Sequence, residues 1–238
     1  MKILKLDEVT LVCASSVHRR RSLSALAICM RKIDFGDVRF FTHQKMSRVP
    51  TGIDLTIVPP FQSIDDYSRF MIYSLGDFVE TTHALVVQSD GYVIHPESWT
   101  NEFLDFDYVG APWPIVANAY VDPFGVHQRV GNGGFSLRSK RLLDVPKQID
   151  IPWDVNSGDF YQHMGAELFS EDGNICVHNR HLYESQGCRF ALPALAARFS
   201  QEIPVPESRG VTPFGFHHRL PGRRFRHRAP VISGYRVP

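Results

Sequence analysis

The 238-residue chain predicts an α/β fold: a single Rossmann-like domain with a mostly parallel central sheet. Three observations lead there. Short apolar, partly β-branched runs recur along the first half, and segments with helical spacing separate them. One of those runs, Ala84-Leu-Val-Val, ends in Gln88-Ser-Asp-Gly91, which sets a carboxylate at the carboxyl end of a strand. In open α/β sheets that edge is where ligands bind.

The elements follow in order. Val9-Thr-Leu-Val-Cys-Ala14 reads as a buried first strand, and Ser15–Arg21 as a polar loop carrying three arginines. Ser22 is suited to cap a helix running to Met30. Val38–Thr42 and Leu55–Val58 read as the second and third strands. Asp65–Leu75 has the spacing of a helix leading into the strand at Ala84. Pro96–Leu104 reads as a short amphipathic helix opened by its proline. A strand at Tyr108-Val-Gly, a helix near Lys140–Leu143 and helical spacing over Ala191–Phe199 complete the regular pattern. From Pro204 onward the chain is rich in Pro, Gly and Arg and reads as loop. The expected division is a domain over 1–218, with a nucleotide-binding half at about 1–112 and an acceptor-side half at 113–218, followed by a basic tail at 219–238.

Composition narrows the class. Hydrophobic residues make up 43% and charged residues 21%, so the chain can bury a core and is not of the disordered type. No apolar run is long enough to span a bilayer, and the first residues lack the apolar region of a signal peptide. The four cysteines form no CxxC pair, and together these features lead us to expect a cytoplasmic setting. Net charge is +1, but residues 219–238 hold six arginines and no acid, which leaves the first 218 residues at −5. Such a tail can contact an anionic acceptor, DNA or a membrane surface. His178-Asn-Arg-His181 with Glu184 and His163 lacks the HExxH arrangement of a zinc hydrolase.

Four segments then form an ordered pattern: Gln88-Ser-Asp-Gly91, Val130-Gly-Asn-Gly-Gly-Phe-Ser-Leu-Arg138, Ser170-Glu-Asp-Gly173, and Phe199-Ser-Gln-Glu202 leading to Phe214-Gly-Phe-His217. With Asp107-Tyr-Val-Gly-Ala-Pro-Trp113, they make the chain resemble, from Val9 to His217, a bacterial and phage family long catalogued as a domain of unknown function. That family is grouped with the GT-A glycosyltransferases. The resemblance implies a GT-A fold and transfer of a sugar from a nucleotide-sugar donor to a hydroxyl acceptor, either a glycan or a modified base in DNA.

It also implies roles. A GT-A enzyme usually holds Mn²⁺ or Mg²⁺ with an Asp-x-Asp element at a strand end and a later histidine or acid. Here Gln88-Ser89-Asp90 matches that element with glutamine in the first place, so Asp90 and His217 become the expected metal ligands. Glu171 and Asp172 match the acidic pair of inverting members, with Asp172 as base and Glu171 as a sugar-hydroxyl or positioning partner. Ser16, Arg20, Tyr67, Arg69, Gln88, Ser89 and Gly91 fall on the donor side. Trp113, which two prolines make the least core-like tryptophan, falls on the acceptor side with Asn132, Gly133 and Gly134. A literal Asp-x-Asp at Asp105-Phe-Asp107 follows an amphipathic segment instead of an apolar strand and reads as structural. The competing reading is a non-catalytic nucleic-acid- or glycan-binding protein on a degenerate glycosyltransferase scaffold.

Overall fold

In the computed structural model, residues 3–115, 120–153 and 170–218 are described; the basic tail and His163 lie outside them. The strands are β1 (Leu4–Ala14), β2 (Ile33–Thr42), β3 (Asp54–Ile57), β4 (His83–Val87), β5 (Gly91–Val93), β6 (Tyr108–Val109), β7 (Ala111–Pro112), β8 (Val130–Gly131), β9 (Phe135–Ser139), β10 (Ser200–Gln201) and β11 (Gly215–His217). The central sheet has six strands in the order β3-β2-β1-β4-β9-β6. β1 to β4 are mutually parallel, whereas β9 runs antiparallel to both β4 and β6. The protein is therefore a mixed α/β fold with a mostly parallel central sheet.

Side-chain alternation divides this sheet between two cores. Val12, Ala14, Ala84 and Val86 face one cluster, with Phe41, Met71 and Leu142. Leu11, Cys13, Leu85 and Val87 face the other, with Leu26, Phe40 and Phe199. All five residues of β4 are buried, which explains why it reads as a continuous apolar run. A one-residue slip would exchange the two faces, so the register is firmly set. The four cysteines are buried and unpaired. Among the described residues no helix is long and apolar enough to cross a membrane.

Several local expectations need correction. Helix α1 spans Arg19–Met30, so its N-cap is His18 and not Ser22. Ser22 is buried one turn in, where its hydroxyl donates to the His18 carbonyl at 3.1 Å. The predicted helix over Asp65–Leu75 begins as α2 (Ile64–Arg69), capped by Ser63, whose Oγ accepts from the Asp66 N–H at 3.1 Å. It then widens to a π-helical turn over Phe70–Ser74 and tightens to a 3₁₀ turn over Leu75–Phe78. Pro96–Leu104 forms two 3₁₀ turns, Pro96–Ser98 and Asn101–Asp105, separated by extended backbone at Trp99 and Thr100. The segment after Pro204 is not all loop, because β11 pairs with β10 and, antiparallel, with β5. The chain halves also interleave: β9, from the second, sits between β4 and β6 of the first.

Candidate active site

Topology carries the site residues to the carboxyl edge of β4. Because β9 runs antiparallel to β4 with Phe135 opposite Val87, the preceding Asn132-Gly133-Gly134 lies where β4 ends. Pairing of β5 with β11 sets Gly91 opposite His217, which brings that histidine beside Asp90. The result is a cleft of about 600 Å³, within the range of small-molecule sites. Of the expected residues, Ser16, Tyr67, Gln88, Ser89, Asn132, Gly133, Gly134, Glu171, Asp172 and His217 all line it.

Its floor depends on missing side chains. A Cβ on Gly133 would lie 2.0 Å from Glu171 Oε1, and one on Gly134 would lie 2.2 Å from His217 Nε2. Alanine at either position would therefore push out the carboxylate or the imidazole. Between Gly131 and these two, Asn132 is buried and left-handed (φ 72°), a conformation that Asn tolerates better than most side chains. Its Oδ1 accepts from the Gly134 N–H at 3.1 Å, while its Nδ2 is buried with no protein partner.

Asp90 does not itself line the cleft; it sits behind His217, which does, and is bracketed by two histidines. His217 Nε2 is 3.5 Å from its Oδ1, and His218 Nδ1 is 3.0 Å from its Oδ2. Ligand atoms of Asp90, His217 and His218 all lie within 4.8 Å of one another, a grouping that could hold a cation. No other group of three or more potential ligands is found among the described residues, and His178 and His181 do not form one. The far nitrogen of His217, Nδ1, faces Glu202 Oε1 at 3.2 Å. A carboxylate behind a histidine in this way orients the ring and raises its basicity toward a metal.

Without a cation, the electrostatics are those of a charged Asp90–His217 pair. Hydrogen bonds from His217 and His218, reinforced by their charge, hold the Asp90 carboxyl well below the usual carboxylate range. Burial alone would lower the His217 pKa, but hydrogen bonds to Asp90 and Glu202 outweigh it and push the value up to about 10. A cation bound at Nε2 and this proton would compete for the same atom.

The acidic pair opens the short helix Glu171–Gly173. Asp172 is half-buried and accepts the Gly133 N–H at 2.9 Å, the Gly173 N–H at 2.8 Å and the Ser170 hydroxyl. Glu171 is only 3% exposed and meets Arg138 Nη2 at 3.2 Å. Burial raises the Glu171 pKa, the Asp172 charge adds to this, and Arg138 opposes both. Arg138 is wholly buried; it also donates to the Gly133 carbonyl at 3.4 Å and to Ser136 Oγ at 3.0 Å. At the other wall Gln88 donates its amide to the Tyr67 hydroxyl at 3.0 Å, and Ser16 Oγ accepts from the Phe61 N–H at 2.8 Å.

Residues 53–217 match the family model described as a protein of unknown function, DUF5672. The chain belongs to that family. The DUF5672 match starts later than the resemblance traced from Val9, and the family's description assigns no activity. No curated protein matches the chain.

Some expected site residues of this DUF5672 member lie elsewhere. Trp113 is 2% exposed and stacked on Tyr120 at 4.2 Å, so it has no face to offer an acceptor. Gly131 makes room for its ring: a Cβ there would lie 1.8 Å from the indole. Arg69 covers the Trp153 ring at 4.5 Å instead of lining the cleft. Arg20 lines a neighbouring cleft. Gly91 lies beneath the site, its Cβ position 3.1 Å from His217 Cδ2. Glu202, His218 and Arg138 were missed. A His-His pair at the end of the Phe-Gly-Phe-His segment was the available signal for His218. Glu202 could have been read from the Phe-Ser-Gln-Glu segment.

Proposed function

We propose that the protein is a GT-A-type glycosyltransferase, metal-assisted, that moves a sugar from a nucleotide-sugar donor to a hydroxyl acceptor. One observation carries this reading. A cleft at the carboxyl edge of the sheet is lined both by the Glu171–Asp172 pair with Asn132-Gly133-Gly134 and by His217, the one member of the Asp90–His217–His218 grouping that reaches it. The mostly parallel sheet with its ligand cleft at that edge fits the expected single Rossmann-like domain.

Asp90, His217 and His218 would hold the cation, and oxygen plus imidazole donors favour Mn²⁺ over Mg²⁺. When bound, such an ion stabilises negative charge building on a diphosphate leaving group. Glu202 fixes the His217 ring so that Nε2 faces Asp90. Ser16, Tyr67, Gln88 and Ser89 form the donor wall, with Gln88 supplying a neutral amide where an acid would stand.

Asp172 is the base: it reaches the cleft, and its oxygens are oriented by Gly133, Ser170 and Gly173. It would take the acceptor hydroxyl's proton as that oxygen attacks the anomeric carbon, with inversion. Glu171, held against Arg138, would position the glycine turn from the cleft wall. The orphan Asn132 amide would donate to an acceptor oxygen.

Hydrolysis of a panel of UDP-, GDP- and dTDP-sugars, with and without Mn²⁺, tests the assignment. Turnover of at least one donor that needs both the metal and Asp172 is expected. No turnover with any donor, beside tight salt-dependent binding of DNA or a glycan, would return the protein to the class of non-catalytic binders.

A further inference from the structure

A second cleft, of about 1160 Å³, opens at the carboxyl ends of β1 and β2, between the first turn of α1 and the loop after β2. It shares Val17 and His18 with the catalytic cleft as a common wall. Arg19, Arg20, Arg21, Lys45 and Arg48 line it, and no acidic residue does. None of these five cations has an ion-pair partner among the described residues. Lys5, Arg31, Lys32 and Arg209 are likewise without an ion pair among the described residues but do not line this cleft, whereas Arg129, Arg138 and Arg141 each meet a carboxylate, and Arg69 and Arg189 cover aromatic rings.

The arrangement also runs against helix stability. The first turn of the twelve-residue α1 is Arg19-Arg20-Arg21, with no acid in it and no side-chain cap. Cations at a helix N-terminus oppose the macrodipole, so three together are unfavourable until an anion offsets them.

We propose that this cleft is a second binding site, for a compact ligand bearing two or more phosphate groups. Arginine forks match phosphate oxygens bidentately, and several cations in one concavity focus the positive field. The lining offers no Phe, Tyr or Trp ring and a single imidazole, His18, which argues against a nucleic-acid strand stacked along it through its bases. Its concave shape suits a discrete anion better than a flat lipid surface. The proposal stands apart from the glycosyl-transfer reading, since it uses neither Asp90 nor the acidic pair.

Titration calorimetry of the full chain with tripolyphosphate in metal-free buffer, at about 0.15 M salt, tests it. Saturable binding is expected, weakened about tenfold or more in the double variant Arg20→Ala/Arg48→Ala and unchanged in Asp90→Ala. Removing Arg20 relieves repulsion at the helix end, so the double variant should melt no lower than wild type. A loss of binding then does not reflect unfolding. Absence of saturable binding would overturn the proposal, as would equal affinity in the double variant, which would assign the anion to another surface. Weakening in Asp90→Ala would merge the two sites and also overturn it. So would binding of anionic vesicles or single-stranded DNA through these arginines that tripolyphosphate cannot displace.

Discussion

Two aspartates at opposite edges of the sheet, Asp90 and Asp107, differ in how far the protein itself satisfies their oxygens. Asp107 belongs to the literal Asp-x-Asp of the chain and stands at the amino end of β6. It is 2% exposed, and its oxygens are consumed by Ser139 Oγ at 2.5 Å, Arg141 at 2.9 and 2.6 Å, and the Arg189 N–H at 2.7 Å. Asp90 ends β4 at the carboxyl edge with its side chain 48% exposed, and only imidazoles approach its oxygens. Spacing alone would select Asp107 over Asp90. What marks Asp90 is ligand capacity that the protein itself does not satisfy.

The largest expected effect falls on Asp107. Asp107→Ala removes the acceptor of the Ser139 hydroxyl, the Arg189 N–H and the half-exposed Arg141, and should cost about 2–4 kcal/mol. For a domain of this size that lowers the melting temperature by roughly 4–16 °C, which circular dichroism would read. Metal and nucleotide binding should survive. Asp90→Ala should do the reverse: a stability change within about 1 kcal/mol and a loss of Mn²⁺-dependent nucleotide binding of about 100-fold. Asp105→Ala should alter neither. If Asp105 or Asp107 variants lose metal dependence while Asp90→Ala keeps it, the comparison is inverted.

A smaller effect is expected behind the site. Glu202→Gln keeps the shape but weakens the orientation of His217, so Mn²⁺ affinity should fall about tenfold with little change in melting temperature. An unchanged affinity would make Glu202 a packing residue only.

The smallest effect is a pH dependence. Burial would raise the Asp107 pKa, but bonds from Arg141, Ser139 and the Arg189 N–H outweigh it and hold the group below its ordinary value. A depressed carboxylate contributes stability that is complete above its unfolded pKa of about 3.9 and is lost as pH falls through the folded value. Asp107→Asn should therefore flatten the acid limb of the stability curve relative to wild type. An unaltered limb would show that Asp107 is not held as drawn.

Much of the frame was legible in the chain. Val9–Ala14 and Ala84–Val87 announced themselves because strands buried on both faces are apolar throughout. Asp90 was legible for the same reason, as the first acid after such a run. The failures were local or long-range. Two 3₁₀ turns passed for a helix at Pro96–Leu104 because a few apolar residues satisfy either period. β11 was invisible because three residues carry no pattern, and its pairing with β5 spans more than a hundred residues. That pairing puts His217 and His218 on Asp90; His217 was reached only through the family resemblance, and His218 was not read at all. Trp113 misled because flanking prolines suggest a loop, whereas the slot for its ring is made by a glycine eighteen residues away.

The central claim is that Asp90, His217 and His218 form a cation-dependent site for a nucleotide-sugar. Thermal-shift measurement with UDP-, GDP- and dTDP-sugars tests it most directly, because a ligand bound at 100 times its Kd adds about 2.7 kcal/mol of apparent stability. The account predicts an upward shift with at least one donor that requires Mn²⁺ and disappears in Asp90→Ala. No shift with any donor, or a shift that survives in Asp90→Ala, would contradict it.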